Sequence, residues 1–296
     1  MLLSYCPSEN RMKILEFAYA YYLPHVRLHT STATSRIQIF SNHIEANFGS
    51  LEFTDLKKIQ IYDWRNSLII RNYKPAMINK IQVIFGQIIE LAEALEVCED
   101  GTRKRLGFET FRITEKPQNF ITSHQLQALL HACELSSNKN LANIVKLLAI
   151  TGARKREILD AQWKYINLER ATLVVPKSKN GSSRIIHLSK TAVELITSLP
   201  KTSNEFLFIN PKTQKPYGCI YYSWQIALKK VGLEGLRIHD LRHSFASALV
   251  NRGVNLYDVQ HLLGHNSIKS TQRYAHLEDQ RLKASLSVVE DFVAQS

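Results

Sequence analysis

Cysteine is scarce and scattered: Cys6, Cys98, Cys133 and Cys219 are the only four in 296 residues, and no two form a CxxC pair. That spacing argues against zinc ligation and dithiol redox chemistry and fits a reducing cytoplasm. Long apolar runs are missing as well. Nothing nears the ~20 apolar residues of a membrane span, and the opening MLLSYCPSENRMK has no apolar stretch behind a basic start. A soluble, unexported chain with no membrane partner is expected. There is no GxxxxGK[ST] loop for a nucleotide and no Asp/Glu cluster of magnesium-binding character, so neither a cofactor nor a metal is expected. Acidic residues are in deficit, 26 against 38 Lys plus Arg, for a net charge of +12. Such an excess attracts phosphate polymers before any base is read, although a merely soluble basic protein carries the same charge.

What is present is helical periodicity, without an internal repeat. The length favours two domains. From Pro75 to Val97, Ile78, Ile81, Phe85, Ile88, Leu91 and Leu95 recur at spacings of three or four, with Pro75 suited to a helix start. Ile37, Phe40, Ile44 and Phe48 repeat the pattern ahead of Gly49, and Thr54 is a candidate cap for a helix through Trp64 toward Ile70. Residues 1–99 therefore read as an all-helical domain. The stretch 100–117 loses the periodicity, carries Gly101, Gly107 and Pro117, and reads as a linker.

The second domain, 118–296, opens with a helix after Thr122 or Ser123 and a second that Gly152 ends before Arg154. The period then changes. Leu173–Lys177 and Ser183–Leu188 are short β-type runs flanking Asn180-Gly181, a strong hairpin signal because both residues tolerate positive φ. Further helices are expected near 190–198, 219–231, 240–251 and 255–263. The fold class is thus mainly α (α+β): an all-helical domain followed by a mainly helical one with a small antiparallel β-sheet.

Several side chains in this half are candidates for chemistry, each with an ordinary structural alternative. His239 and Arg242, in HDLRHSFASALV, stand three apart and share a helix face, while Leu241, Phe245 and Leu249 supply an opposite, core-facing stripe. An H-x-x-R pair alone has little specificity among eleven histidines. Gly264 has the place of a left-handed residue ending a helix, which leaves His265 on the turn beyond and Tyr274 nine residues later. One tyrosine of twelve is ordinarily a packing residue. Arg154 begins a helix, where orphan N–H groups and the positive dipole end favour a phosphate, and Glu157 is placed to orient it. Lys155 and Arg156 beside it make a solvated basic turn the plain alternative. Lys179 precedes the Asn180-Gly181 turn and rides a hairpin tip, with Lys177 on the same face as its rival.

Taken together and in order, TGARKRE, SKNG in a hairpin, HDLRHSFAS, LLGH and the tyrosine nine residues beyond His265 resemble the tyrosine recombinase, or phage integrase, family. The resemblance covers about residues 117–285, and the helical first half looks like the core-binding domain that clamps DNA in that family. It implies that Arg154 and Arg242 hold a scissile phosphate, that Lys179 protonates the leaving 5′ oxygen and that Tyr274 is the nucleophile. It further implies acid–base support from His239, a phosphate hydrogen bond from His265 and support of the first arginine by Glu157. The implied activity is site-specific recombination of double-stranded DNA through a 3′-phosphotyrosyl intermediate, integrating or excising a mobile element. A homotetramer on paired sites, joined by exchange of the C-terminal tail, and accessory DNA-bending proteins are the implied partners.

The residue types suit this chemistry. Tyrosine, with a pKa near 10, is a poor nucleophile at neutral pH without cationic neighbours and a base, and arginines also neutralise charge developing at phosphorus. Leu282, Leu286, Val289 and Val293 form an apolar stripe in the tail, suited to packing on its own domain or on a neighbour. Two positions depart from the family pattern: Arg156, where a small residue is commoner, leaving a packing role or a DNA contact open, and His187-Leu188, where Pro-Leu often stands. The competing readings are type IB topoisomerase-like relaxation, a non-catalytic DNA-binding accessory protein and, weakest, a metal-dependent nuclease. With no separate domain ahead of the first helices, binding to distant arm sites is not expected.

Overall fold

Apolar residues at helical spacing become helix throughout the first half. The computed structural model describes residues 12–30, 32–113, 119–176, 183–201, 205–264, 269–272 and 274–275. These fall in two compact units, Met1–Lys116 and Pro117–Ser296. In the first, α1 (Ile14–Phe17) runs through a π segment, Ala18–Tyr22, into α2 (Leu23–His29), and α3 (Ala33–Ile39) runs through another, Phe40–Glu45, into α4 (Ala46–Phe48). Then come α5 (Lys58–Ile70), α6 (Pro75–Ala94) and α7 (Thr102–Leu106). Pro75 occupies the first turn of α6, where its missing N–H costs nothing. α5 begins at Lys58, and Thr54 lies in a separate 3₁₀ turn, Phe53–Asp55, so it does not cap that helix. The core centres on Phe48, Trp64 and Phe85, with Trp64 edge-on to the other two at 5.1 and 5.7 Å between ring centroids. Edge-to-face rings of this kind add to the energy of burial.

The stretch 100–117, expected as a linker, belongs to this unit as far as it is described. Leu106 is fully buried, Phe108 meets Phe85 edge-on at 5.6 Å, and Gln82 donates to the Glu109 carbonyl. Asn79 pairs with the backbone of Phe111 in both directions, each bond 2.8 Å. The apolar residues that carry this packing are separated by glycines and by Arg103–Arg105, which hides their pattern from a periodicity search.

In the second unit Thr122 caps α8 (Ser123–Glu134) in a reciprocal pair with Gln125. α9 (Leu141–Thr151) is the buried centre, packed against α8 and against two later helices, α11 (Lys190–Ser198) and α13 (Asp240–Asn251). Gly152 ends α9 with φ +61°, and a Cβ there would lie 2.4 Å from the Phe245 ring, so glycine is required for both conformation and space. After α10 (Lys155–Leu159), β1 (Ile166–Asn167), β2 (Thr172–Val175) and β3 (Arg184–His187) form an antiparallel sheet in the order β1-β2-β3. Thr172 pairs with His187 and Val175 with Arg184, and Leu173, Val175 and Ile186 face the core. The expected hairpin strands are present, while its turn, 177–182, lies outside the described residues. β1 and the pair β4 (Ile209–Asn210) and β5 (Lys215–Pro216) are two residues each, too short to show an alternation. α12 (Tyr221–Lys230), α14 (Leu256–Leu263) and α15 (Lys269–Gln272) complete the unit. On α13 the buried face is Arg242, His243, Ala246, Ser247 and Val250 together with Leu241; Phe245 and Leu249 are only partly buried, so the core-facing stripe is turned from its expected position.

Truncating Leu106 tests whether the stretch after residue 100 is core. Leu106→Ala is expected to lower the unfolding free energy of the first unit by about 2–5 kcal/mol in a urea titration, the cost of a buried leucine cavity. A true linker residue leaves the midpoint unmoved.

Candidate active site

Arg154 is the N-cap of α10, with φ −71° and ψ 146°, and its backbone N–H donates to Glu157 Oε2 at 2.7 Å. Its Nη1 reaches Glu157 Oε1 at 2.9 Å, so the i, i+3 spacing lets one carboxylate hold both ends of the arginine. A second guanidinium shares that carboxylate. Arg184, the first residue of β3, donates through Nε and Nη2 at 2.9 and 2.6 Å, a bidentate fork on a buried Glu157. Arg184 is not among the residues assigned from sequence. Its signal was faint: one basic residue at the head of a short strand that ends in His187.

The other anchor of the site is the C-terminal end of α14, where the last carbonyls of a helix lack partners and carry partial negative charge. Arginines supply the missing donors. Arg184 donates to the Leu263 carbonyl at 2.7 Å, Arg242 to the same carbonyl at 2.7 Å, and Arg154 to the Gly264 carbonyl at 3.2 Å. Gly264 has φ +62°, and a Cβ on it would come within 2.6 Å of Arg184 Nη1, so this turn also requires glycine. Arg242, buried on α13, places its other fork arm on the Gly152 carbonyl at 2.7 Å. Arg154 and Arg242, 88 residues apart, are thereby brought to one place, with Glu157 between Arg154 and Arg184.

His239 is the N-cap of α13 and is exposed at its edge. The turn before it is fixed by Arg237, whose backbone N–H and guanidinium grip the fully buried Asp240 carboxylate. Desolvation, and then the charges of Arg242, Arg237 and Arg154 against the opposing Asp240, push the His239 pKa below the usual imidazole value. Burial first, then Arg154 and Arg184, disfavours the charge on Arg242, with Glu157 and Tyr274 opposing; a guanidinium nonetheless stays protonated at neutral pH. A cleft of about 910 Å³ opens beside these groups, lined by Arg154, Glu157, His239, Val174 and Phe206 among others.

Tyr274 is fully buried among Ala246, Val250, Val259 and Leu263 of α13 and α14. Its hydroxyl lies 2.5 Å from Nδ1 of His243, the residue after Arg242. His243 also went unassigned from sequence, although its place four residues after His239 puts both on one helix face. Arg156 turns away from Arg154: it pairs with Asp160 and donates to the carbonyls of Tyr217 and Gly218 at 2.7 and 3.2 Å, so this departure from the family pattern packs a loop. Lys179, its rival Lys177, His265 and the tail stripe of Leu282, Leu286, Val289 and Val293 lie outside the described residues. Among the described residues no three His, Cys, Asp or Glu side chains gather as a metal-ligating group, and no helix is long and apolar enough to cross a membrane.

Comparison with known proteins matches this arrangement to a family. The phage integrase family profile covers residues 119–281, more than half the chain, and the N-terminal SAM-like domain of phage integrases covers 15–69. The chain belongs to the phage integrase family of tyrosine recombinases. It is 34% identical to the tyrosine recombinase XerA of Saccharolobus solfataricus over 166 residues, 56% of this chain and 55% of that protein. With the integrase of Escherichia phage 186 the identity is 30% over 210 residues, 70% of this chain and 57% of the relative. The chain thus spans little more than half the length of these relatives. In fold it is similar to the Tn1549 transposon integrase solved with circular intermediate DNA, with a TM-score of 0.74 at 18% identity over 92% of this chain and 99% of that one. The lambda integrase tetramer bound to a Holliday junction gives 0.71 at 18%, over 90% and 78%. The mainly helical fold with a small antiparallel sheet is that of these integrases.

The titration of Glu157 reports the cluster. Burial alone pushes its pKa up, but the hydrogen bonds and charge of Arg184, followed by the Arg154 backbone N–H and side chain, more than reverse this and hold it below 4.5. Its stabilisation is therefore full above the unfolded value and lost as pH falls through the lower folded one. Glu157→Gln is expected to cost about 3–5 kcal/mol at pH 7, because it strands two guanidiniums. In urea titrations the gap between wild type and variant should close on acidification below about pH 4.5. A gap that stays constant from neutral to acid pH contradicts the ion-pair account.

Proposed function

We propose that this chain is a tyrosine-type, site-specific DNA recombinase that cleaves and rejoins double-stranded DNA through a 3′-phosphotyrosyl intermediate. The observation that carries this reading is the convergence of Arg154, Arg184 and Arg242 on Glu157 and the carbonyl end of α14, on the element that precedes the nucleophile Tyr274. Three guanidiniums, one carboxylate and a helix C-terminus leave an excess of positive charge with spare N–H donors on Arg154, which suits a phosphodiester. In this reading Arg154 and Arg242 hold the scissile phosphate and offset the charge that builds on its oxygens as phosphorus becomes five-coordinate. Glu157 positions Arg154. Tyr274 attacks phosphorus, Lys179 protonates the departing 5′ oxygen, His239 serves acid–base transfer, and His265 hydrogen-bonds a phosphate oxygen.

The phosphotyrosyl linkage conserves the energy of the broken diester, so rejoining needs no nucleotide cofactor. Both units take part in binding the DNA, and four protomers assemble on paired sites through exchange of their C-terminal tails, in the cytoplasm, with DNA-bending proteins as accessories. Integration or excision of a mobile element is the corresponding role. The net charge of +12 supports a strong, salt-sensitive hold on the duplex.

Incubation with a suicide DNA substrate, nicked so that the cleaved strand cannot rejoin, tests the reading on a denaturing gel. Wild type is expected to form a covalent adduct in EDTA, Tyr274→Phe none. Arg154→Lys and Arg242→Lys should each slow adduct formation at least about 100-fold while DNA binding stays within a few-fold, since lysine keeps the charge but loses the fork. Adduct that persists in Tyr274→Phe would falsify the assignment.

A further inference from the structure

The reaction proposed above requires the proton of the Tyr274 hydroxyl to depart as the oxygen bonds to phosphorus. Arginines cannot take it, because they stay protonated. His239, at the exposed start of α13, meets the His243 ring edge-on with 4.9 Å between centroids, and it is His243 that the Tyr274 hydroxyl contacts. His243 is placed differently. Its Nδ1 lies 2.5 Å from the Tyr274 oxygen, within the reach a proton transfer requires, and both side chains are buried away from bulk water.

We infer that His243 is a catalytic residue, the proton acceptor for Tyr274 in strand cleavage and its proton donor in strand rejoining. This rests on the recombinase reading and adds to it a residue that the family resemblance did not assign. In cleavage the Tyr274 O–H bond breaks and an N–H bond forms at Nδ1 of His243, a step that requires the neutral ring with its hydrogen on Nε2. The tyrosine oxygen bonds to phosphorus as the bond from phosphorus to the 5′ oxygen breaks, and that oxygen takes its proton from the acid of the proposed reaction, Lys179. In rejoining every transfer reverses, so the imidazolium returns its proton to the leaving tyrosine oxygen. Arg242, adjacent in the chain and bound to the Gly152 and Leu263 carbonyls, ties the same turn of α13 to the phosphate-binding group. Tyr274 is enclosed here, so DNA must open a path to its oxygen. A bond that merely stored the tyrosine in the interior would have the opposite kinetic consequence.

Single-turnover adduct formation on a suicide DNA separates these cases. His243→Asn offers a hydrogen-bonding atom near the Nδ1 position but takes no proton at neutral pH, and His243→Ala leaves a space the size of imidazole. DNA binding within about threefold of wild type establishes that each variant is folded. The inference predicts that both variants form adduct at least about 100-fold more slowly, the usual contribution of a general base, and that added imidazole restores a substantial part of the rate in His243→Ala and none in Tyr274→Phe. Wild-type rates in both variants overturn it, as does faster adduct formation, which marks the contact as a restraint on the nucleophile. Slow adduct formation without imidazole rescue, or slow formation with loss of DNA binding in both variants, assigns His243 to structure and also overturns it. Adduct in Tyr274→Phe defeats the recombinase reading itself and the inference with it.

Discussion

The second unit depends on how it holds three arginines in one place. Guanidiniums repel one another, and burial makes each charge harder to sustain, as the depressed pKa of Arg242 records. Two partners offset this. Glu157 accepts from Arg154 and, through a bidentate fork, from Arg184, while the carbonyl end of α14 accepts from Arg154, Arg184 and Arg242. Each supplies what the other lacks. The carboxylate brings a full negative charge, and the helix end brings several aligned acceptors with only a partial charge. Remove either and buried positive charge is left without compensation, a much larger penalty than the pair contributes when whole. For the proposed reaction the cluster is thus arranged in advance, and preorganised charge is the form in which electrostatics accelerates a reaction most.

The same contacts join parts of the chain that lie far apart. α10 supplies Arg154 and Glu157, β3 supplies Arg184, α13 supplies Arg242, and α14 supplies the carbonyls. Two glycines allow these segments to close: Gly152, whose carbonyl binds Arg242 while Phe245 occupies the space a side chain would need, and Gly264, over which Arg184 passes. Tyr274 follows α14 and packs back on α13, in a small core with Ala246, Val250, Val259 and Leu263, and α13 also carries Arg242.

Much of this could be read from sequence where the determinants are local. Arg154 with Glu157 three residues on, the left-handed glycines at the ends of α9 and α14, the Thr122 cap and the two strands of the hairpin all follow from spacing and turn chemistry, and the structure places them as expected. What escaped is set by distant partners. Arg184 gains its role from Glu157, 27 residues earlier, and from carbonyls 78 and 79 residues later. His243 stood inside the quoted HDLRHSFAS box, yet nothing local says that Tyr274 returns to its ring. The stretch after residue 100 looked like a linker because its few apolar side chains have no regular period, although each finds a place on α6 and its neighbours.

In the proposed reaction Tyr274 carries the DNA. Mass spectrometry of the covalent complex, after nuclease digestion of the DNA and proteolysis of the protein, tests it most directly. A nucleotide joined through its 3′ phosphate to the peptide that contains Tyr274, and to no other tyrosine peptide, is the result predicted here; a nucleotide on a different residue contradicts it.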